Sequence, residues 1–583
     1  MINKIRLILT LMNPCDKKQL ALIALIGVLD SIINVVGIAS ILPFISVISE
    51  PNLINTNEYI IEFKHITGID TQFGVILSFG LFSFFMILMA NVIGGLDAWF
   101  SLKFSYFKEK ELGEKLLLNY LSIDELSFNK KNIPEAIKNI LTEIDRVILD
   151  TLFACLEMLS NFLMAVLIFS MLLFLDVLAA IVITAILLSV YLVIYHFSSD
   201  KLEKLGREFS DIETDIYQGI MNPLSFRQEI KLTQTSDYYL KCYERSFTKM
   251  IKNRLNFEIL TLIPQQLVEI MSFGTIIFLA IYFVMVDTSD LVNVAILSVY
   301  AFAAYRLLPA IGDIFDNFEQ VRFGSAVLVK LIDEFKVDKM EPLNNKEQIK
   351  GEQKLYAIRK ALDIKNISFR YSENSDFVLN DLSFKFEANY FYSIKGTTGS
   401  GKSTLLKIIA GLYPIEKGDI EIDGNEGVLF ENPDWFSKIA YVPTKINMIK
   451  GTIEQNIAFG LEPEEIDSDR LKQCAALTLF SEDVLCFPDG FRTRIGEGGV
   501  GLSSGQLQKL GLTRALYRDT KLLLLDEISD SFDLDTEYMI LKNLSQLKDT
   551  TIIFISHRPS VHKFADKTID LELINMNRDG SGN

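Results

Sequence analysis

Long apolar runs alternate with long polar stretches in the first half of the chain, and short apolar runs alternate with turns in the second. Six apolar runs, near residues 20–48, 73–100, 151–175, 177–197, 257–286 and 291–312, are each long enough to cross a bilayer as a helix, which takes about 20 residues. No comparable run follows residue 312. The third and fourth runs meet at Asp176, and the fifth and sixth are joined by Asp287 to Asp290. Each pair is therefore expected to form a tight hairpin on one side of the membrane, which leaves the long polar segments on the other.

Basic residues orient this pattern, because cytoplasmic loops hold Lys and Arg in excess. Residues 101–150 carry eight of them and residues 199–256 carry ten, whereas residues 49–72 carry only Lys64 and the hairpin tips none. Both termini and both long loops are expected in the cytosol. The loops have helical periodicity with few Gly or Pro, so they continue the membrane helices. About 25 helical residues extend about 38 Å, and the turns near Ser122–Asn132 and Asp215–Pro223 are the expected contacts with a following domain. The stretch from Asn3 to Lys18 reads as an interfacial amphipathic helix with Ile5, Leu7, Ile8 and Leu11 on one side, rather than as a cleavable signal.

Residues 1–325 are thus expected to form a membrane domain and residues 326–355, polar and irregular, a linker. Over residues 356–573 strand-like and helix-like segments alternate as in an α/β domain, and residues 574–583 read as a flexible tail. Composition agrees. A chain of 583 residues that is 49% hydrophobic, with mean hydropathy +0.27, is too long for one core and too apolar to be wholly soluble. The formal charge of -17 argues against a nucleic-acid partner, which needs clustered Lys and Arg. Five cysteines lack metal-binding spacing and read as free thiols of a reducing compartment.

Chemistry concentrates in the α/β part. Gly396-Thr397-Thr398-Gly399-Ser400-Gly401-Lys402-Ser403 follows an apolar stretch and opens a helical one at Thr404, the arrangement of a phosphate-binding P-loop. Its glycines let backbone N–H groups curl around phosphates at a helix N-terminus, Lys402 reaches the β- and γ-phosphates of ATP, and Ser403 can ligate Mg2+. Leu522 to Leu525 form an apolar strand ending in Asp526 and Glu527. There Asp526 would hold magnesium through water, and Glu527 would orient and polarise the attacking water. A further apolar strand, Thr551 to Ile555, ends at Ser556 and His557, which is placed to contact a γ-phosphate. In isolation, the carboxylate motif reads better as a buried strand ending in a solvated acidic turn, and His557 as a surface or capping residue.

Leu502-Ser503-Ser504-Gly505-Gln506, opening a helical segment some 20 residues before Asp526, resembles the signature motif of ABC ATPases. Arg494 to Gly499 is similar to the exporter X-loop, Tyr371 stands where the family stacks adenine, and Asp533 fits the D-loop. The resemblance implies a six-helix transmembrane domain fused to an α/β P-loop NTPase domain. It also implies a head-to-tail dimer clasping two ATP molecules, each between one chain's P-loop and Ser503, Ser504, Gly505 and Gln506 of the other. Two departures stand out. Tyr441-Val442-Pro443-Thr444 carries Thr444 where the family has a Q-loop Gln, and Ser504 replaces a Gly. Thr444 is two bonds too short for direct ligation at about 2.1 Å.

The membrane half is similar to exporters with domain-swapped cytosolic hairpins. Gly37 to Phe44, Glu229 to Leu232 and Tyr305 to Pro309 resemble segments of bacterial flippases for lipid-linked oligosaccharides, and residues 55–68 resemble that group's short external helix, with Tyr59, Ile60, Phe63 and Ile66 for an apolar face. The resemblance implies ATP-driven flipping of an amphiphile across the bacterial cytoplasmic membrane by a homodimer. The alternatives are export of a peptide or hydrophobic small molecule, and a weakly hydrolysing subunit of a heterodimer. Ionisable residues inside the spans face a cavity or a partner. Arg306 is a candidate for a substrate pyrophosphate, with Asp30 and Glu269 either beside the substrate or paired with Arg306 to lock helices together.

Overall fold

The computed structural model describes residues 2–49, 53–69, 71–129, 131–175, 177–286, 292–336, 358–372, 374–426, 433–496 and 498–572. The turns expected at Asp176 and at Asp287 to Asp290, residues 337–355 of the linker, Glu497 of the X-loop segment and the tail 574–583 lie outside the described residues. The chain forms two compact units: Met1–Leu121 with Lys131–Asp338, and Ser122–Lys130 with Lys339–Asn583.

The first unit is helical. Its helices are α1 (Ile2–Thr10), α2 (Pro14–Ala39), α3 (Ile41–Ser49), α4 (Leu53–Thr56), α5 (Glu58–Thr67) and α6 (Gln72–Ser122), then, beyond α7 (Glu125–Asn129) of the second unit, α8 (Ile133–Lys138), α9 (Ile144–Val147), α10 (Ala154–Leu175), α11 (Val177–Ser225), α12 (Arg227–Thr233), α13 (Ser236–Val286), α14 (Val292–Gly324) and α15 (Leu328–Lys336). Among the described residues three helical stretches are long and apolar enough to cross a membrane, Pro14–Ile48, Gln72–Ser122 and Ile133–Phe174. The other three expected runs fall in α11, α13 and α14, parts of which lie outside the described side chains.

Local chemistry explains where helices stop. The stretch Asn3 to Lys18 is two helices rather than one, because Asn13 caps a new start and Pro14 takes its first turn, where a missing N–H costs nothing. The turn expected at Asp215–Pro223 lies beyond those residues. Helix α11 runs through to Ser225 with Pro223 inside it, two residues from its end, so the ring can disturb only the final turn. In the external segment, Ile60 is buried and Phe63 stacks on Phe79 at 5.0 Å, but Tyr59 and Ile66 point outward. Where α11 crosses α14, Gly206 has room for no side chain, because a Cβ there would collide with the Phe323 carbonyl.

A buried charge network sits where two π-helical turns, Asn139–Glu143 and Ile148–Phe153, flank α9. Lys138 donates to the Ser210 carbonyl (2.9 Å) and lies 3.0 Å from Glu143, which also accepts from Arg146 at 2.9 Å; Arg146 in turn reaches Glu213 at 2.9 Å. Lys138 and Glu143 are almost wholly excluded from solvent. With Lys108, which is also buried, three of the eight basic residues counted over 101–150 are interior.

The second unit contains strands β1 (Ala361–Phe369), β2 (Leu379–Glu387), β3 (Phe391–Lys395), β4 (Lys417–Ile422), β5 (Asn425–Glu426), β6 (Ile439–Val442), β7 (Gly451–Thr452), β8 (Arg494–Ile495), β9 (Leu522–Asp526), β10 (Thr551–Ile555) and β11 (Lys567–Asp570). Strands β11-β3-β10-β9-β6 form a parallel sheet, and β2-β1-β4-β5 an antiparallel one. Every residue of β9 and β10 is buried, as expected of central strands covered on both faces. Alternate residues serve opposite cores. Leu522, Leu524, Ile553 and Ile555 pack with helix α16 (Lys402–Ile409) and the antiparallel sheet, whereas Leu523, Leu525, Ile552 and Phe554 pack against Leu541 and Leu544 on the other side. This is the α/β P-loop NTPase sheet expected from the alternating pattern.

Candidate functional site

Strand register assembles the site. Ile555 is level with both Ile394 and Asp526, so the P-loop after β3, the carboxylates ending β9 and His557 after β10 all emerge at one edge of the sheet. Ligands of open α/β sheets bind beyond such strand ends.

The P-loop needs its glycines. Gly399 and Gly401 have φ of +90° and +89°, and a Cβ on Gly401 would lie 2.8 Å from Leu379 Cδ2. Lys402 donates to the carbonyls of Gly396 (2.9 Å) and Thr397 (2.8 Å). Its ammonium is therefore held across the loop's first turn, with Thr398 and Ser400 in the same loop. Ser403 Oγ donates to Asp526 Oδ1 at 2.9 Å, and Tyr441 Oη to Asp526 Oδ2 at 3.0 Å. Burial and the Asp526 carboxylate hold the Tyr441 phenol well above its usual range. Thr404 meets the Tyr371 hydroxyl at 2.7 Å, which leaves the half-exposed Tyr371 ring beside the loop.

Glu527 sits in the left-handed region, φ +52°, a conformation that costs a non-glycine residue about 1–3 kcal/mol and that clusters at functional sites. Its N–H donates to the Ile555 carbonyl, and its Oε1 lies 3.2 Å from His557 Nε2. The carboxylate and the imidazole face each other at the strand ends.

Thr444 takes a role other than ligation. Its hydroxyl donates to the Asp526 carbonyl at 3.2 Å, and its own carbonyl accepts from Gln508 on helix Ser504–Tyr517. Ser503 caps that helix in a reciprocal box with Gln506, whose amide donates to Asp483 at 3.1 Å. Ser503 and Ser504 are exposed, and Gly505 approaches the Ser531 carbonyl. Among the described hydrogen bonds none joins Ser503, Ser504 or Gln506 to the P-loop. Asp533 caps helix Leu534–Leu544 through Thr536, whose hydrogen bonds hold its carboxyl below the usual carboxylate range.

Two contacts escaped the motif reading, and a third falls in the Ser122–Asn132 turn expected to meet the following domain. Arg558 ties Asp530 and Phe532 to buried Glu537. Glu572 reaches back to Thr397. Helix α7, carried between α6 and α8, belongs to this unit: Glu125 pairs with Lys407 at 2.8 Å, its N–H donates to the Leu412 carbonyl, and Leu126 packs on the core. Glu125 lies in the Ser122–Asn132 turn, Thr397 in the P-loop and Tyr441 in the Tyr441–Thr444 segment that sequence had marked.

In the helical unit, a cavity of about 260 Å³ is lined by Asn34, Gly37, Ile41, Ala90, Asn91 and Arg306, among others. Arg306 donates to Asn91 at 3.3 Å. Asn34 donates to Asp30 at 3.0 Å, while its buried Oδ1 has no partner among the described residues. Glu269 is exposed on α13 and does not line this cavity.

Residues 379–530 match the protein family described as ABC transporter. A putative export ATP-binding/permease protein of Rickettsia felis is 32% identical over 321 residues, covering 53% of this chain and 53% of that protein. A multidrug resistance ABC transporter ATP-binding and permease protein of Lactococcus lactis is 29% identical over 385 residues, 64% of this chain and 61% of its own length. An ATP-dependent lipid A-core flippase of Haemophilus influenzae is 31% identical over 271 residues, 46% and 44% respectively. The chain spans about half the length of the curated relatives it matches.

Proposed function

Starting from an ATP-binding domain of the ABC transporter family at residues 379–530, we propose that this chain couples ATP hydrolysis to export or flipping of an amphiphile, best read as a lipid-linked oligosaccharide. It acts as a homodimer in the bacterial cytoplasmic membrane, with residues 1–325 as membrane domain, 326–355 as linker and 356–573 as ATPase. The observation that carries the reading is the convergence of β3, β9 and β10 on one edge with Lys402, Asp526, Glu527 and His557. Magnesium bound with the nucleotide would draw on Ser403 and Asp526, whose oxygens suit a hard cation, and would offset phosphate charge. Glu527 orients the attacking water, His557 steadies that carboxylate and meets the γ-phosphate, and Tyr371 stacks the base. The exposed cap at Ser503 to Gln506 is a helix N-terminus free to meet phosphates of a nucleotide held by a second copy.

Chain connectivity supports the coupling. Helix α7 packs into the ATPase unit while its flanks continue as α6 and α8, so movement of that unit is delivered covalently to the membrane helices. The Glu125–Lys407 pair is partly exposed, and such pairs contribute about 0–1 kcal/mol to stability. Glu125→Ala is expected to leave folding intact, retain more than half of the ATPase rate and lower transport per ATP severalfold in proteoliposomes. Equal transport per ATP in the variant would remove α7 from the coupling.

The cargo reading rests on the cavity at Arg306. Two of the flippase-like segments, Gly37 to Phe44 and Tyr305 to Pro309, meet there, and one guanidinium with carboxamides among apolar side chains suits an amphiphile with a phosphate-bearing head. Arg306→Ala should reduce flipping of a labelled polyprenyl-diphosphate oligosaccharide at least tenfold while ATPase and expression persist. Loss of expression would instead make Arg306 a helix lock through Asn91 and Asp30, and unchanged flipping would remove it from the cargo path. A second reading, a weakly hydrolysing subunit of a heterodimer, is favoured by Thr444, whose hydroxyl is already committed to Asp526. ATP binding without turnover by the purified chain would select it.

A further inference from the structure

Glu572 belongs to none of the nucleotide motifs, yet its carboxylate lies on the P-loop. Strand β11 pairs in parallel with β3, with Asp570 level with Lys395. Just past that last pair, where both strands end, Glu572 meets Thr397. Leu571, fully buried in the core, fixes the backbone between them, so Glu572 is presented by the folded edge of the sheet. Its Oε1 accepts from the Thr397 N–H at 2.9 Å and also from the Thr397 hydroxyl. Those hydrogen bonds hold the exposed carboxyl below its usual range.

The same turn is gripped from its other side by Lys402, which donates to the carbonyls of Gly396 and Thr397. That grip is temporary by chemistry. When the ammonium moves to the β- and γ-phosphates, the Gly396 and Thr397 carbonyls lose the Lys402 donor, the Thr397 carbonyl keeping the Ser400 N–H at 3.2 Å, and the first turn of the loop loses one of its anchors. The Glu572 contact does not compete with phosphate for Lys402 and can persist through that exchange. Gly396, with φ +154° and no side chain, cannot stiffen the turn by itself.

We propose that Glu572 is a positioning residue of the nucleotide site, holding Thr397 so that the P-loop keeps its phosphate-binding curl after Lys402 lets go of the loop. The inference rests on nucleotide binding at the P-loop and is independent of the cargo.

The test measures binding of trinitrophenyl-ATP and of ATP by competition, using the full chain in nanodiscs without hydrolysis. Glu572→Ala is expected to weaken binding about three- to tenfold, the range of one charge-assisted contact at an exposed site. Glu572→Gln, which keeps an acceptor oxygen, is expected to bind within about twofold of the parent. In steady-state assays the KM for ATP should rise with the dissociation constant, while kcat changes by a smaller factor. Lys402→Ala serves as the control that loses binding altogether; if it binds normally, the P-loop reading itself fails rather than the Glu572 inference. Unchanged affinity in Glu572→Ala overturns the proposal. Tighter binding in either Glu572 variant overturns it too, since the carboxylate would then act as a negative charge opposing the phosphates.

Discussion

Glu527→Gln is expected to hold ATP with near-parent affinity while hydrolysis falls by about 10²- to 10⁴-fold, the scale of a positioned general base. The substitution is nearly isosteric, and the amide still reaches His557 across the 3.2 Å gap. The left-handed backbone at this position is stabilised by main-chain contact with Ile555 and by buried Ile528, so it does not depend on the carboxylate charge. Only the ability to polarise water is lost. Phosphate release measured beside trinitrophenyl-ATP binding separates the two effects. The sandwich of two chains predicts that the variant also accumulates as an ATP-dependent dimer, read by crosslinking with a bifunctional reagent. Hydrolysis within threefold of the parent would mean that another group activates the water.

Glu143→Ala is expected to destabilise the helical unit by about 3–5 kcal/mol. Glu143 is the one carboxylate that contacts both Lys138 and Arg146, and with Lys138 fully enclosed its ammonium cannot turn to water. Removing one member of a buried ion pair leaves an uncompensated charge, and the cost is of that order. Arg146 keeps Glu213 and its position over the Phe209 ring at 4.8 Å, so most of the loss comes from Lys138. Pairing the change with Lys138→Met should recover part of the stability by replacing the stranded charge with an apolar side chain of similar length. Thermal unfolding of the detergent-purified protein, followed by tryptophan and tyrosine fluorescence, would report both. A Glu143→Ala midpoint within 2 °C of the parent would show that water enters the network freely.

Much of the ATPase fold was legible because its information is local. A P-loop is eight consecutive residues, Asp526 and Glu527 follow their strand directly, and His557 follows the next; strand, loop and helix order can be read from spacing alone. Hydrophobic runs announced three helical stretches long and apolar enough to cross a membrane for the same reason, since a helix satisfies its own backbone and needs only length and apolarity. The helix boundaries were read less well. Pro223 looked like a turn but lies within the last turn of α11, and Pro14 divided a stretch that periodicity alone had joined.

What spacing could not decide was which distant residues would share a neighbourhood. Tyr441 meets Asp526 across 85 residues, Glu572 meets Thr397 across 175, and Glu125 meets Lys407 across 282. Those meetings follow from strand register and from the passage of one short helix out of the membrane unit into the ATPase unit. The same holds for charge. A Lys or Arg in a polar loop reads as solvated, and only the packing of α8, α9 and α11 enclosed Lys138 and Arg146 with their carboxylates. The sequence alone determined the chemical parts and their order, because those depend on neighbours along the chain; the tertiary structure decided their partners, because hydrogen bonds and ion pairs act over about 3 Å of space whatever the separation in sequence.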